Sequence, residues 1–118
     1  MSYFRAILKK GEVSERAYSL TTEVIDYSEG NYTAWFYRRK CIDELGLSLE
    51  AEMVWLQDDG LSMEKNYQIW HHRRCIAEMI GNERFNTDEE MEFLDEIFDS
   101  DRKNYHAWSY RIWLIERF

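Results

Sequence analysis

The stretch NYTAWFYR, Asn31 to Arg38, recurs as NYQIWHHR at Asn66 to Arg73 and again as NYHAWSYR at Asn104 to Arg111. Asn, Tyr, Trp and Arg keep fixed places in every copy, and the copies start 35 residues (31 to 66) and 38 residues (66 to 104) apart. A repeat of this period is one supersecondary unit of a stacked array. Each copy predicts a helix start, because an Asn side chain is a favoured acceptor for the free amides of a first helical turn. Behind the Asn, Tyr32, Trp35 and Ile42, and likewise Tyr105, Trp108 and Ile115, fall at steps of three and seven, which predicts one apolar helical face. Gly46 and Gly81 follow where a helix-ending glycine is common.

Ahead of each Asn lies a second amphipathic run. The clearest is TDEEMEFLDEIFDSD, with Met91, Leu94, Ile97 and Phe98 on one side. The first runs from Ser14, a candidate cap, to about Tyr27, with Tyr18, Val24 and Ile25 inward. The run from Leu47 carries Met53 and Leu56 and is expected to stop early, at Asp58-Asp59-Gly60. These pairs predict an all-α chain, an α-α superhelix (solenoid) of about three antiparallel helix-hairpin repeats, crescent-shaped. One domain over 1–118 is expected, with a lead-in helix over 1–13 and repeats at 14–46, 47–81 and 82–118. The absence of any proline agrees with a nearly all-helical chain. The three Trp residues are expected in the core, with each motif Arg over a Trp ring or paired with a first-helix acid. The run from Asp88 to Asp101 holds acids and no base, as a solvated face does.

Composition bounds the function. At 118 residues and 45% hydrophobic, the chain has a real but modest core. A net charge of -8 and a pI near 4.9 argue against nucleic acid or an anionic membrane surface as partner. No apolar run approaches the roughly 20 residues of a membrane span. The first residues, MSYFRAILKKGE, lack the features of a signal peptide, so a cytoplasmic protein with reduced Cys41 and Cys75 is expected. His71 and Cys75 share a helix face at i, i+4. Two Cys and three His without a C-x-x-C pattern do not make a four-ligand structural zinc, however, and no metal ligand is assigned to this chain. No Gly-rich phosphate loop is visible.

The repeat fits the tetratricopeptide pattern poorly, since Tyr precedes Trp and both the Gly and the Pro are missing. It resembles the protein prenyltransferase α-subunit repeat, whose second helix opens Asn-Tyr-x-x-Trp before an Arg pair. YFRAIL, SERAYSLT, NYTAW, KNYQIWHHRR and KNYHAWSYR together resemble the farnesyltransferase and type I geranylgeranyltransferase α subunit over essentially the whole chain. The resemblance implies a crescent that wraps a β subunit and shares with it a prenyl diphosphate and a protein substrate bearing a C-terminal cysteine motif. It implies Zn2+ and Mg2+ in the holoenzyme, the zinc in the β subunit, and no transferase activity for this chain alone. The family crescent has more repeats, so a partial chain is expected.

By the same resemblance, Lys65 and Tyr105 stabilise the diphosphate, with His106 beside them. Gln68 hydrogen-bonds the peptide carboxylate, Tyr32 lies near peptide and isoprenoid, and Tyr67 and Asn104 complete the substrate-contacting set. The chemistry is consistent: a helix start favours an anion, and Lys65 adds a full positive charge there. The alternative is a non-enzymatic helical-repeat scaffold that binds a protein partner.

Overall fold

The computed structural model describes residues 2–60 and 66–118, and Lys65 lies outside them. Seven helices account for the described residues: α1 (Ser2–Lys10), α2 (Glu15–Tyr27), α3 (Tyr32–Leu45), α4 (Leu49–Gly60), α5 (Tyr67–Ile80), α6 (Thr87–Ser100) and α7 (Tyr105–Arg117). No strand occurs among the described residues. The pairs α2–α3, α4–α5 and α6–α7 pack as hairpins, α1 lies on α2, and α5 also meets α7. The chain divides into two compact units, residues 1–48 and 49–118.

The local signals read from the sequence set the helix boundaries. Ser14 accepts from the Ala17 amide at 3.1 Å and starts α2. Asn31, Asn66 and Asn104 start α3, α5 and α7 by accepting from Ala34 (3.1 Å), Gln68 (2.7 Å) and Ala107 (3.1 Å). Gly46 ends α3 at φ 65°, a left-handed geometry open to glycine at little cost. One boundary differs from expectation, because α4 runs through Asp58 to Gly60. Acids in a last helical turn cost only about 0.3–1 kcal/mol, too little to end a helix that seats a fully buried Leu56.

In the first unit, Val24, Ile25, Trp35, Cys41 and Ile42 are buried. Arg38 is buried with them, its Nη1 donating to Thr22 Oγ1 (2.6 Å) and Thr21 Oγ1 (3.2 Å) and its Nη2 to Tyr18 Oη (2.7 Å). In the second unit, Leu56, Trp70, Ile76, Leu94, Ile97, Tyr110 and Leu114 form the core. Trp70 packs on Phe93 (6.4 Å) and Tyr110 (5.5 Å) between ring centroids.

The proposed Tyr–Trp–Ile face holds only in part. Trp35 and Ile42 are buried, but Tyr32 projects from the helix tip and is exposed. In α7 the inward line is Ala107, Tyr110 and Leu114, whereas Tyr105, Trp108 and Ile115 lie on the outer flank. Trp108 is therefore not core: it is 43% exposed, against 0% for Trp35. The reason is the packing of α7, which meets α6 and α5 on one side only and leaves the indole stacked on Phe98 at 4.1 Å.

The indole has a second role that the periodicity did not reveal. Trp35 Nε1 donates to the Glu29 carbonyl (2.7 Å) and Trp108 Nε1 to the Arg102 carbonyl (2.6 Å), in both cases six residues back. The motif Trp thus latches the turn that leads into its own helix, which explains why an indole rather than a plain apolar ring occupies the position.

Candidate functional site

Within the second unit, two capped helix starts lie side by side, those of α5 and α7. The Asn66 and Asn104 caps leave other first-turn amides unbonded within the helix, and both helix dipoles place partial positive charge at this end. Tyr67, the first residue of α5, is 60% exposed, and Tyr105, the first residue of α7, is 76% exposed. His106 joins them: its ring meets Tyr67 edge-on at 6.2 Å and Tyr105 at 5.6 Å. His71, one turn further along α5, stacks flat on Tyr67 at 5.9 Å with 8° between planes.

The structure therefore brings Tyr67, Tyr105 and His106 together, with Gln68 on the same first turn of α5. The Gln68 side-chain oxygen is buried and accepts no hydrogen bond. Asn104 is buried, and its side-chain oxygen serves the Ala107 amide, so the cap accounts for its conservation of place within the repeat. Tyr32 stacks on Phe36 at 6.4 Å in the first unit. Lys65 immediately precedes the Asn66 cap in sequence and is outside the described residues. What the gathered groups offer is a solvent-facing set of phenol, imidazole and amide donors at two positive helix ends, suited to an anionic oxygen.

Beneath this surface lies a buried polar layer: the expected pairing of a motif Arg with a first-helix acid is found at Arg73, while the acid contacts of His72 and Tyr110 were not read from the sequence. Glu90 of α6 accepts two hydrogen bonds from Arg73, from Nε at 2.6 Å and from Nη2 at 2.7 Å, and a third from the Tyr110 hydroxyl. Burial disfavours the Arg73 charge, but the Glu90 carboxylate more than offsets it and holds the guanidinium above its usual range. Burial, then the neighbouring Glu90 charge, pushes the Tyr110 phenol well up. In the preceding pair, His72 Nε2 lies 2.7 Å from Glu52 Oε2, both fully buried. Tyr37 occupies the equivalent slot in the first repeat and donates to the Glu12 carbonyl. A signal for this layer was present: Glu52 and Glu90 each stand 20 residues before the sixth position after the motif Asn. Reading the acidic run as a solvated face hid which acid turns inward. Arg111 follows the simpler expectation and lies over Trp108 at 5.9 Å.

Among the described residues there is no group of three or more His, Cys, Asp and Glu side chains placed to hold a metal. No helix of the described residues is long and apolar enough to cross a membrane.

Capped helix pairs at this period, with aromatic and basic second helices, define a prenyltransferase-type α repeat, and the comparison with known proteins agrees. The family model for the protein prenyltransferase alpha subunit repeat matches residues 14–45, 63–80 and 87–118, and the chain belongs to that family. It is 40% identical over 82 residues to the protein farnesyltransferase/geranylgeranyltransferase type-1 subunit alpha of Schizosaccharomyces pombe, covering 70% of this chain and 28% of that protein. It is 38% identical to the Candida albicans protein of the same name, over 100% of this chain and 40% of the relative. The fold matches Candida albicans protein geranylgeranyltransferase-I, solved in complex with GGPP, with a TM-score of 0.88 and 37% identity over 97% of this chain and 39% of that one. The all-α helix-hairpin class expected from the sequence is thus the class found. The chain spans well under half the length of these relatives.

Proposed function

We propose that this chain forms the repeat portion of the α subunit of a cytoplasmic heterodimeric protein prenyltransferase. In this reading it supports a β subunit and lends donors to a shared active site. That site transfers a farnesyl or geranylgeranyl group from its diphosphate to a cysteine in the C-terminal motif of a protein substrate. The observation that carries the reading is the meeting of Tyr67, Tyr105 and His106 at the adjoining starts of α5 and α7. As the diphosphate departs, negative charge grows on its oxygens, and preorganised hydroxyl, imidazole and ammonium donors lower that barrier. Lys65 and Tyr105 take this role, with His106 beside them. Gln68 meets the peptide carboxylate, to which its side-chain NH2 group can donate. By the family resemblance, Tyr67 of the second unit and Tyr32 of the first are each assigned to substrate contact, and Asn104 holds the α7 start in place.

By the family resemblance, the zinc that activates the acceptor thiol is assigned to the β subunit and magnesium to the assembled enzyme. This chain alone is then inactive. The test is co-expression with a type-1 β subunit. A stable complex should bind prenyl diphosphate, and Lys65→Ala, Tyr105→Phe or His106→Ala should lower prenyl transfer by about 2–4 kcal/mol in the barrier while complex formation is unchanged. Failure to form a complex removes the partner. A complex whose transfer rate ignores all three substitutions removes the site and leaves a scaffold.

A further inference from the structure

The motif Tyr begins each second helix, and in two of the copies its ring rests on an aromatic side chain one turn further on. Tyr32 stacks on Phe36 in α3 with 15° between planes, and Tyr67 stacks on His71 in α5 with 8°. Ser109 holds the matching place in α7, and there Tyr105 meets His106 instead. Side chains four apart on a helix are surface neighbours, and an offset parallel stack is a favoured arrangement of two rings. His71 differs from Phe36 in carrying a polar anchor: its Nε2 lies 3.7 Å from Cys75 Sγ, a further turn along α5. Contacts thus run from Cys75 through His71 and Tyr67 to His106 on the next second helix. Tyr67 is 60% exposed, and a ring so exposed at a helix tip would otherwise sample several rotamers.

We infer that His71 is a positioning residue for the transferase site: it holds the Tyr67 ring in the orientation that meets His106, so that Tyr67 serves the same anionic oxygen as Tyr105 and His106. This rests on the reading of Tyr67 as a substrate-contacting group. His71 acts through Tyr67 rather than on the substrate, and it orders the phenol before the substrate arrives. The requirement is for a flat ring at this position, which a phenyl group also meets, as Phe36 does for Tyr32.

The test uses the heterodimer with a type-1 β subunit and, separately, this chain without a partner. In the heterodimer, His71→Ala should lower kcat for prenyl transfer about tenfold with complex formation unchanged, and His71→Phe should restore most of it. In a Tyr67→Ala background, His71→Ala should add less than about twofold, because the two side chains act as one unit. In the chain alone, NMR of the tyrosine rings should show Tyr67 losing its upfield ring-current shift in His71→Ala and keeping it in His71→Phe. Far-ultraviolet dichroism checks that each variant keeps its helices. A kcat untouched by His71→Ala, a His71→Phe variant no faster than His71→Ala, or a Tyr67 spectrum that ignores the substitution overturns the positioning role. If Tyr67→Ala itself transfers at the parent rate, the substrate reading of Tyr67 falls together with it. If Tyr67→Ala slows transfer and His71→Ala does not, the role of His71 falls and the reading of Tyr67 stands.

Discussion

Glu90→Ala should be among the most damaging single substitutions in this chain, although it falls in a run of acids that otherwise face solvent. The carboxylate is 5% exposed and Arg73 is 3% exposed, with the guanidinium 3.9 Å from the Phe93 ring centroid. Removing Glu90 leaves that charge buried without its bidentate partner, and breaking a buried pair from one side costs about 3–5 kcal/mol. For a chain of this length an entropy of unfolding of about 2.1 cal/mol/K per residue converts this to a fall in Tm of about 12–20 °C. Tyr110→Phe removes only one hydrogen bond to the same carboxylate and should cost about 1.5–3 kcal/mol. The triple change Arg73→Met, Glu90→Leu and Tyr110→Phe removes donors and acceptor together. It should recover most of the loss, because an apolar replacement of a whole buried ionic group is often neutral. Thermal and urea unfolding followed by circular dichroism measure all three. A Glu90→Ala loss below about 1 kcal/mol, or a triple variant weaker than Glu90→Ala, refutes the claim that charge satisfaction rather than packing governs this position.

Asn104→Ala should cost about 0.5–2 kcal/mol by removing the α7 cap, and Asn104→Asp should restore most of it, as read by urea midpoints. Gly46→Ala should cost about 1–2 kcal/mol from the left-handed backbone alone, since an added Cβ meets nothing within 4 Å, and Gly46→Asn should cost less. The Glu12 carboxyl is held down from its ordinary 4.5 to about 2, first by the Arg16 hydrogen bonds and then by Ser14. Its folded value lies below the unfolded one, so its contribution is fully present above about pH 4.5 and is lost as pH falls toward 2. Carboxyl NMR should show that midpoint, and Arg16→Gln should move it up toward 4.5.

Much of the backbone plan was legible because its signals are local. Ser14 and the three motif Asn residues each act within one turn, and Gly46 acts on its own φ, so neither needs tertiary information. The buried faces were legible for α2 and α6, where apolar residues cluster on one side, and less so for α7. Its first apolar line, through Tyr105, Trp108 and Ile115, is the outer one, and periodicity cannot tell which of two apolar lines a neighbour covers. The gathering of Tyr67, Tyr105 and His106 needed the tertiary fold, since repeat period alone does not set the distance between successive helix starts. That a motif Arg would pair with a first-helix acid was legible, but which acid of the run it takes was not. Glu90 looks like its acidic neighbours in composition, and only its register with Arg73 and Tyr110 marks it as internal.

The pairing of Arg73 with Glu90 also changes what counts as one module. The sequence divides most naturally in the connector between α5 and α6, where one copy gives way to the next. Yet the guanidinium belongs to the earlier copy and its carboxylate to the later. Severing or shuffling the chain at that connector would strand opposite charges on separate pieces, each needing the other to be rid of an uncompensated ion. Units that look interchangeable on paper are therefore keyed to their neighbours in order, and recombining them would require carrying the key across the cut.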